Sequence, residues 1–166
     1  MALQSSSTTA VTVRPITPND GAKLLELIHG LAAYEKLVPP DEAGEKRFLQ
    51  HLAEGKRFDG FIAEVDGEAV GYTIFFEIYS TFSVRPRMYM EDLFVRPEFR
   101  STGAGLALVK KVAEVALSTD CTGMEWEVLD WNQLAIDFYE RIGGRHNTKW
   151  LRYNLDVDAL RALTGG

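Results

Sequence analysis

The chain has 166 residues, 46% of them hydrophobic, 25% charged and 11% aromatic, which excludes disordered, collagen-like and coiled-coil readings. Its 18 basic and 24 acidic side chains leave a formal net charge of −6, which argues against a nucleic-acid footprint and suits cationic partners. The single cysteine, Cys121, excludes an intrachain disulfide or a cysteine-cluster metal site, and no run of about 18 apolar residues could span a membrane.

Met1 to Ala10 is rich in Ser and Thr. It has neither the charged and apolar regions of a secretory signal nor the arginines of a transit peptide, so a flexible tail is expected. Residues 11–166 are expected to form one domain in the reducing cytoplasm. Val11 and Val13, stopped by Pro15, predict a short strand. Thr17-Pro18-Asn19-Asp20 supplies turn and cap chemistry for a helix carrying Leu24, Leu25, Leu27, Ile28 and Leu31. Pro39-Pro40 breaks that run, and a second helix is predicted from Asp41 to about Glu54.

Two apolar runs, Phe61 to Val65 and Ala69 to Ile78, flank Asp66-Gly67. That dipeptide accepts the positive φ angles of a primed hairpin turn. Met88 to Val95 predicts the next strand, ended by Arg96-Pro97. A helix is expected over Gly103 to Ser118, then a strand over Met124 to Leu129 and a helix over Gln133 to Ile142, ended by Gly143-Gly144. A last strand is predicted over Arg145 to Leu155. The order implies a mixed α/β fold: a mostly antiparallel twisted sheet with one parallel crossover and helices on both faces.

Three segments carry chemistry. Arg100-Ser101-Thr102-Gly103-Ala104-Gly105 lies between a strand and a helix. Glycines at alternate positions let backbone N–H groups converge on an anion, helped by the helix N-terminus and by Arg100. No Lys follows Gly105, as a P-loop requires, and Leu108 stands where a dinucleotide fingerprint has its third glycine. The second segment is Tyr89-Met90-Glu91-Asp92-Leu93-Phe94-Val95. Two carboxylates interrupt an apolar strand, and alternation sends them to opposite faces, so one of them meets a covered or ligand-lined surface. The functional reading is a carboxylate suited to taking a proton; a solvated edge strand is the plainer one. In the third, Asn132 is placed to cap a helix whose stripe Ala135, Phe138, Tyr139 and Ile142 puts Tyr139 on the apolar side. Such a tyrosine is core filler or, aimed into a cleft, an acid. His29, His51 and His146 show no ligand spacing, so no metal is expected.

Arg100 to Gly105, following a strand and opening a helix, resembles the acetyl-CoA site of the GNAT N-acetyltransferases. With Leu31-Ala32-Ala33-Tyr34-Glu35, the Tyr89–Val95 block and Trp131-Asn132 through Arg141, the chain from Val11 to Tyr153 resembles the diamine (spermidine/spermine) and thialysine N-acetyltransferase group. That resemblance implies a GNAT fold, acetyl-CoA as co-substrate and a small cationic amine as acceptor, in a homodimer without nucleic-acid or membrane partners. Phe94, Val95, Arg100, Ser101, Thr102, Gly103, Ala104 and Gly105 would hold the pantetheine and pyrophosphate, with Asn132 on the pantetheine arm. Tyr139 would protonate the departing thiolate and Glu91 would serve as base, while Tyr34, Glu35, Glu91 and Glu127 would line the amine groove. The acidic pair that precedes the last-strand tryptophan in animal spermidine/spermine enzymes is missing: His146-Asn147-Thr148-Lys149 precedes Trp150. That departure favours a short diamine or an ω-amino acid over long polyamines. Acetylation of protein N-termini or lysines, and a non-catalytic CoA-binding module, stand as alternatives.

Overall fold

A computed structural model describes residues 10–165; Met1–Thr9, nearly all of the expected tail, lie outside them. The alternating valines form β1 (Val11–Pro15), and Thr17-Pro18-Asn19-Asp20 makes a short 3-10 turn into α1 (Gly21–Glu35). After Pro39-Pro40, the Asp41 side chain accepts a hydrogen bond from the Gly44 N–H at 2.7 Å and opens α2 (Glu42–Glu54). The meander follows as β2 (Asp59–Val65), β3 (Glu68–Ser80) and β4 (Arg85–Val95). Its first turn is the predicted one, with Asp66 at φ 51° and Gly67 at φ 82°. Then come α3 (Ala104–Ser118) and β5 (Met124–Trp126).

The five strands form one sheet in the order β1-β2-β3-β4-β5, antiparallel except for the parallel β4–β5 pair. Each face buries its own apolar cluster. Val70, Phe75 and Met88 pack with Leu108 and Val112 of α3. On the opposite face Ile62, Tyr72, Ile74 and Phe94 pack with Leu24 and Leu27 of α1 and Leu52 of α2. The predicted mixed sheet with helices on both faces is therefore present. An ion-pair network ties its edge: Asp20, 4% exposed, takes both terminal nitrogens of Arg14 at 2.7 and 2.9 Å and the Thr17 N–H and hydroxyl at 2.8 Å each. Arg14 also reaches Glu64 of β2 at 2.9 Å.

The chain divides into two compact units, the second beginning at Val128. That unit holds α4 (Gln133–Arg141) and α5 (Val157–Thr164). Two expectations need correction. The strand expected to reach Leu129 stops at Trp126, where its pairing with β4 ends. The last strand, expected over Arg145 to Leu155, does not form, and residues 145–156 carry no regular structure. A strand needs a ladder partner for its backbone groups, and among the described residues this segment has none. Asp156 instead caps α5, accepting from the Ala159 N–H at 2.8 Å.

Candidate active site

The two acidic residues of β4 sit where the ladder changes phase. Ile74 pairs with Asp92 but Phe75 pairs with Met90, so Glu91 is an extra residue with no direct partner on β3. Such a bulge re-aims the side chains on either side of it. Met88 accordingly packs with the α3 cluster, while Phe94, an even number of residues further on, packs on the α1 face. Glu91 is exposed, and Asp92 turns toward α1.

Asp92 there meets Tyr72, which is fully buried. The Tyr72 hydroxyl donates to Asp92 Oδ2 at 3.0 Å, and the Thr73 hydroxyl donates to the Asp92 carbonyl at 2.7 Å. Burial pushes the Asp92 carboxyl up to about 6, the Tyr72 hydrogen bond pulls it back, and the charges of Glu91 and Glu35 add to the rise. Burial, then the Asp92 charge, holds the Tyr72 phenol well above its ordinary range. Glu35 is raised by burial too. The structure thus gathers Glu35, Glu91, Asp92 and Tyr72. Tyr72 carries no signal in the sequence, and alternation alone does not say which of the two adjacent strand carboxylates meets the covered surface; the structure puts Asp92 there.

Glu35 arrives because α1 lies close over the sheet. A Cβ at Gly30 would sit 3.0 Å from the Phe94 ring, so glycine lets the helix come down onto β4 and its last turn reach Asp92. That turn ends at Lys36, in the left-handed conformation at φ 59°. Tyr34, next to Glu35, lies under the guanidinium of Arg100, 4.2 Å from the ring centroid. Arg100 also donates from Nε to the Val95 carbonyl at 3.2 Å. The expected amine-groove tyrosine and the expected phosphate-loop arginine are therefore in direct contact.

Beyond Arg100 the chain tightens. Ser101 (φ 79°) and Gly103 (φ 90°) both take positive φ, and the Thr102 hydroxyl donates to the Phe99 carbonyl at 2.7 Å. Helix α3 starts at Ala104, whose N–H donates to the Thr102 hydroxyl at 3.4 Å, and the Ala107 N–H makes the first helical bond, to the Gly103 carbonyl at 2.9 Å. A Cβ at Gly103 would meet nothing within 4 Å; glycine is required there by φ alone, and the backbone lies open. Phe94, by contrast, is 4% exposed and pairs with Tyr72 on β3, so its ring is not available to a ligand. Glu127 lies exposed just past β5.

Two expected residues fall in the second unit. Asn132 is buried, and its side chain accepts from the Ala135 N–H at 3.3 Å, capping α4 as predicted. Tyr139 is half-buried on α4, edge-on to Phe138 with ring centroids 5.4 Å apart.

A glycine loop that follows a strand and opens a helix makes this a fold with an anion-binding corner. The chain belongs to the Acetyltransferase (GNAT) family, whose model matches residues 25–144, and it is an N-acetyltransferase by that relationship. It is similar to the thialysine N-epsilon-acetyltransferase of Sus scrofa, 36% identical with 94% of this chain and 98% of the relative covered. It is equally similar to that of Caenorhabditis elegans, 36% identical with 87% and 91% covered. Among solved structures, an integron cassette protein of V. cholerae matches with a TM-score of 0.78 at 22% identity, covering 94% of this chain and 98% of the other. That likeness concerns the fold.

Proposed function

We propose that the protein transfers the acetyl group of acetyl-CoA to the primary amine of a small cationic substrate, an ω-amino acid such as thialysine or a short diamine. The observation that carries this reading is the group of three carboxylates, Glu35, Glu91 and Asp92, set beside the Tyr34–Arg100 stack. Such a group attracts an ammonium, and an ammonium must lose a proton before its nitrogen can attack. The names of the Sus scrofa and Caenorhabditis elegans relatives support an ω-amine.

The open backbone at Gly103 and the N-terminus of α3 fit a pyrophosphate. Arg100 and the main chains of Ser101, Thr102, Gly103, Ala104 and Gly105 would hold it, with the main chains of Phe94 and Val95 and the Asn132 side chain along the pantetheine arm. Acetyl-CoA supplies a thioester carbonyl that the free amine attacks directly. Tyr34, Glu35 and Glu127 hold the amine, Glu91 meets its ammonium group directly or through water, and Tyr139, by its place in the motif, donates a proton to the leaving sulfur. The working unit is a cytoplasmic homodimer.

Thiol release with acetyl-CoA and a panel of lysine, thialysine, ornithine, diamines and polyamines tests the reading. Turnover with short ω-amines, and little with spermine, is expected. Turnover only with peptides would replace the acceptor by a protein. Acetyl-CoA binding without turnover of any amine or peptide would leave a binding module.

A further inference from the structure

The exposed carboxylate at the bulge is where an ammonium first arrives, yet a second carboxylate stands behind it in a far more defined setting. Asp92 is fixed at both ends, its side chain by the Tyr72 hydroxyl at 3.0 Å and its backbone carbonyl by the Thr73 hydroxyl at 2.7 Å. Tyr72 is 0% exposed and is walled by Phe94, with ring centroids 6.5 Å apart, so its hydroxyl has one direction in which to donate. The bulge turns Asp92 onto the face that holds Tyr72. A purely structural role accounts poorly for this placement: a half-buried carboxylate facing two other carboxylates costs stability unless it is neutralised.

We propose that Asp92 is the group on which the substrate's proton comes to rest, and that Tyr72 is the positioning residue that keeps Asp92 ionised and aimed to receive it. The assignment rests on the amine reading above. In the step, the N–H bond of the substrate ammonium breaks and an O–H bond forms on the Asp92 carboxylate, directly or through Glu91. The nitrogen keeps the electron pair with which it attacks, and Asp92 later returns the proton to solvent.

The groups that face Asp92 set its readiness. Glu35 from α1 and Glu91 from its own strand raise its proton affinity, as does burial, and the Tyr72 hydroxyl from β3 lowers it. The balance leaves Asp92 titrating at about 6, a value that lets it be empty at neutral pH and still hold a proton transiently. Without the Tyr72 hydroxyl the same carboxylate would hold its proton to higher pH, and less of it would be ionised at neutral pH.

The test uses the full chain and the conservative variant Tyr72→Phe, which keeps the buried ring. Carbon-13 NMR of aspartate carboxyl groups, with the Asp92 signal assigned by its absence in Asp92→Asn, should give a midpoint near 6 in the wild type. In Tyr72→Phe it should move up by about one pH unit, the loss of one charge-assisted hydrogen bond. With thialysine as acceptor, the acidic limb of kcat/KM should follow the same midpoint and move with it. Glu91→Gln should raise KM for thialysine and, because it removes a charge that raises Asp92, move the midpoint and the limb together to lower pH. An Asp92 that titrates like an ordinary aspartate, or a limb that stays put while Asp92 moves, would overturn the assignment. If the wild type acetylates no amine, the amine reading fails instead, and the carbon titration still decides whether Tyr72 tunes Asp92.

Discussion

Asp20→Asn tests what holds the sheet's first edge to the chain that follows. The substitution keeps the side chain's shape and removes its charge, so Arg14 retains only Glu64 as an ionic partner. Removing one member of a buried pair costs about 3–5 kcal/mol. Here the Arg14 side chain is 35% exposed while that of Asp20 is 5% exposed, so water recovers part of the loss and about 2 kcal/mol is expected. At this chain length that is a fall in Tm of about 4–8 °C. The Arg14 and Thr17 contacts hold the Asp20 carboxyl well below the usual carboxylate range. A depressed carboxylate stabilises the fold above its unfolded pKa of about 4, and that contribution is lost as pH falls below it. The gap in Tm between wild type and variant should therefore be full at pH 6 and shrink toward pH 3. Thermal melts across that range read both quantities. A drop of less than about 1 °C at pH 6, or a gap that widens on acidification, would refute the reasoning.

Tyr139→Phe should lower kcat by about a hundredfold while the amine KM stays within about twofold, the pattern of a proton donated only in the transition state; a variant keeping more than half its kcat would return Tyr139 to a packing role. Gly71→Ala should cost about 2–3 kcal/mol in urea unfolding, because its Cβ would lie 2.6 Å from the Phe94 carbonyl oxygen, which is backbone and has nowhere to go. Gly123→Ala, whose Cβ would meet nothing within 4 Å, should change stability by less than about 0.5 kcal/mol and serves as the control.

The elements legible in the sequence were those fixed by local chemistry. Asp66-Gly67 dictates its turn, Asn132 its cap, and the leucines of α1 their buried face. What could not be read was set by pairing. Nothing within Tyr89 to Val95 announces that Glu91 will have no partner, since that follows from where Ile74 and Phe75 fall on the neighbouring strand. For the same reason the setting of Asp92 is not legible: its partner Tyr72 is distant in sequence and adjacent only across the sheet. Arg145 to Leu155 erred in the other direction. A segment able to extend joins a sheet only where an edge elsewhere receives it.

The bulge gives β4 something like a reading frame. Upstream of Glu91, Met88 and Met90 are the buried residues; downstream, Phe94 is buried on the other side of the sheet. Exchanging Glu91 for another residue leaves both halves in frame, whereas deleting it shifts one half against the other. Restored to strict alternation, Met88, Met90, Asp92 and Phe94 would all share a face. Either Met88 would leave the α3 cluster, or Phe94 would leave the floor beneath α1 and bring Asp92 away from Tyr72. For the frame of the strand, what matters at position 91 is that a residue is there.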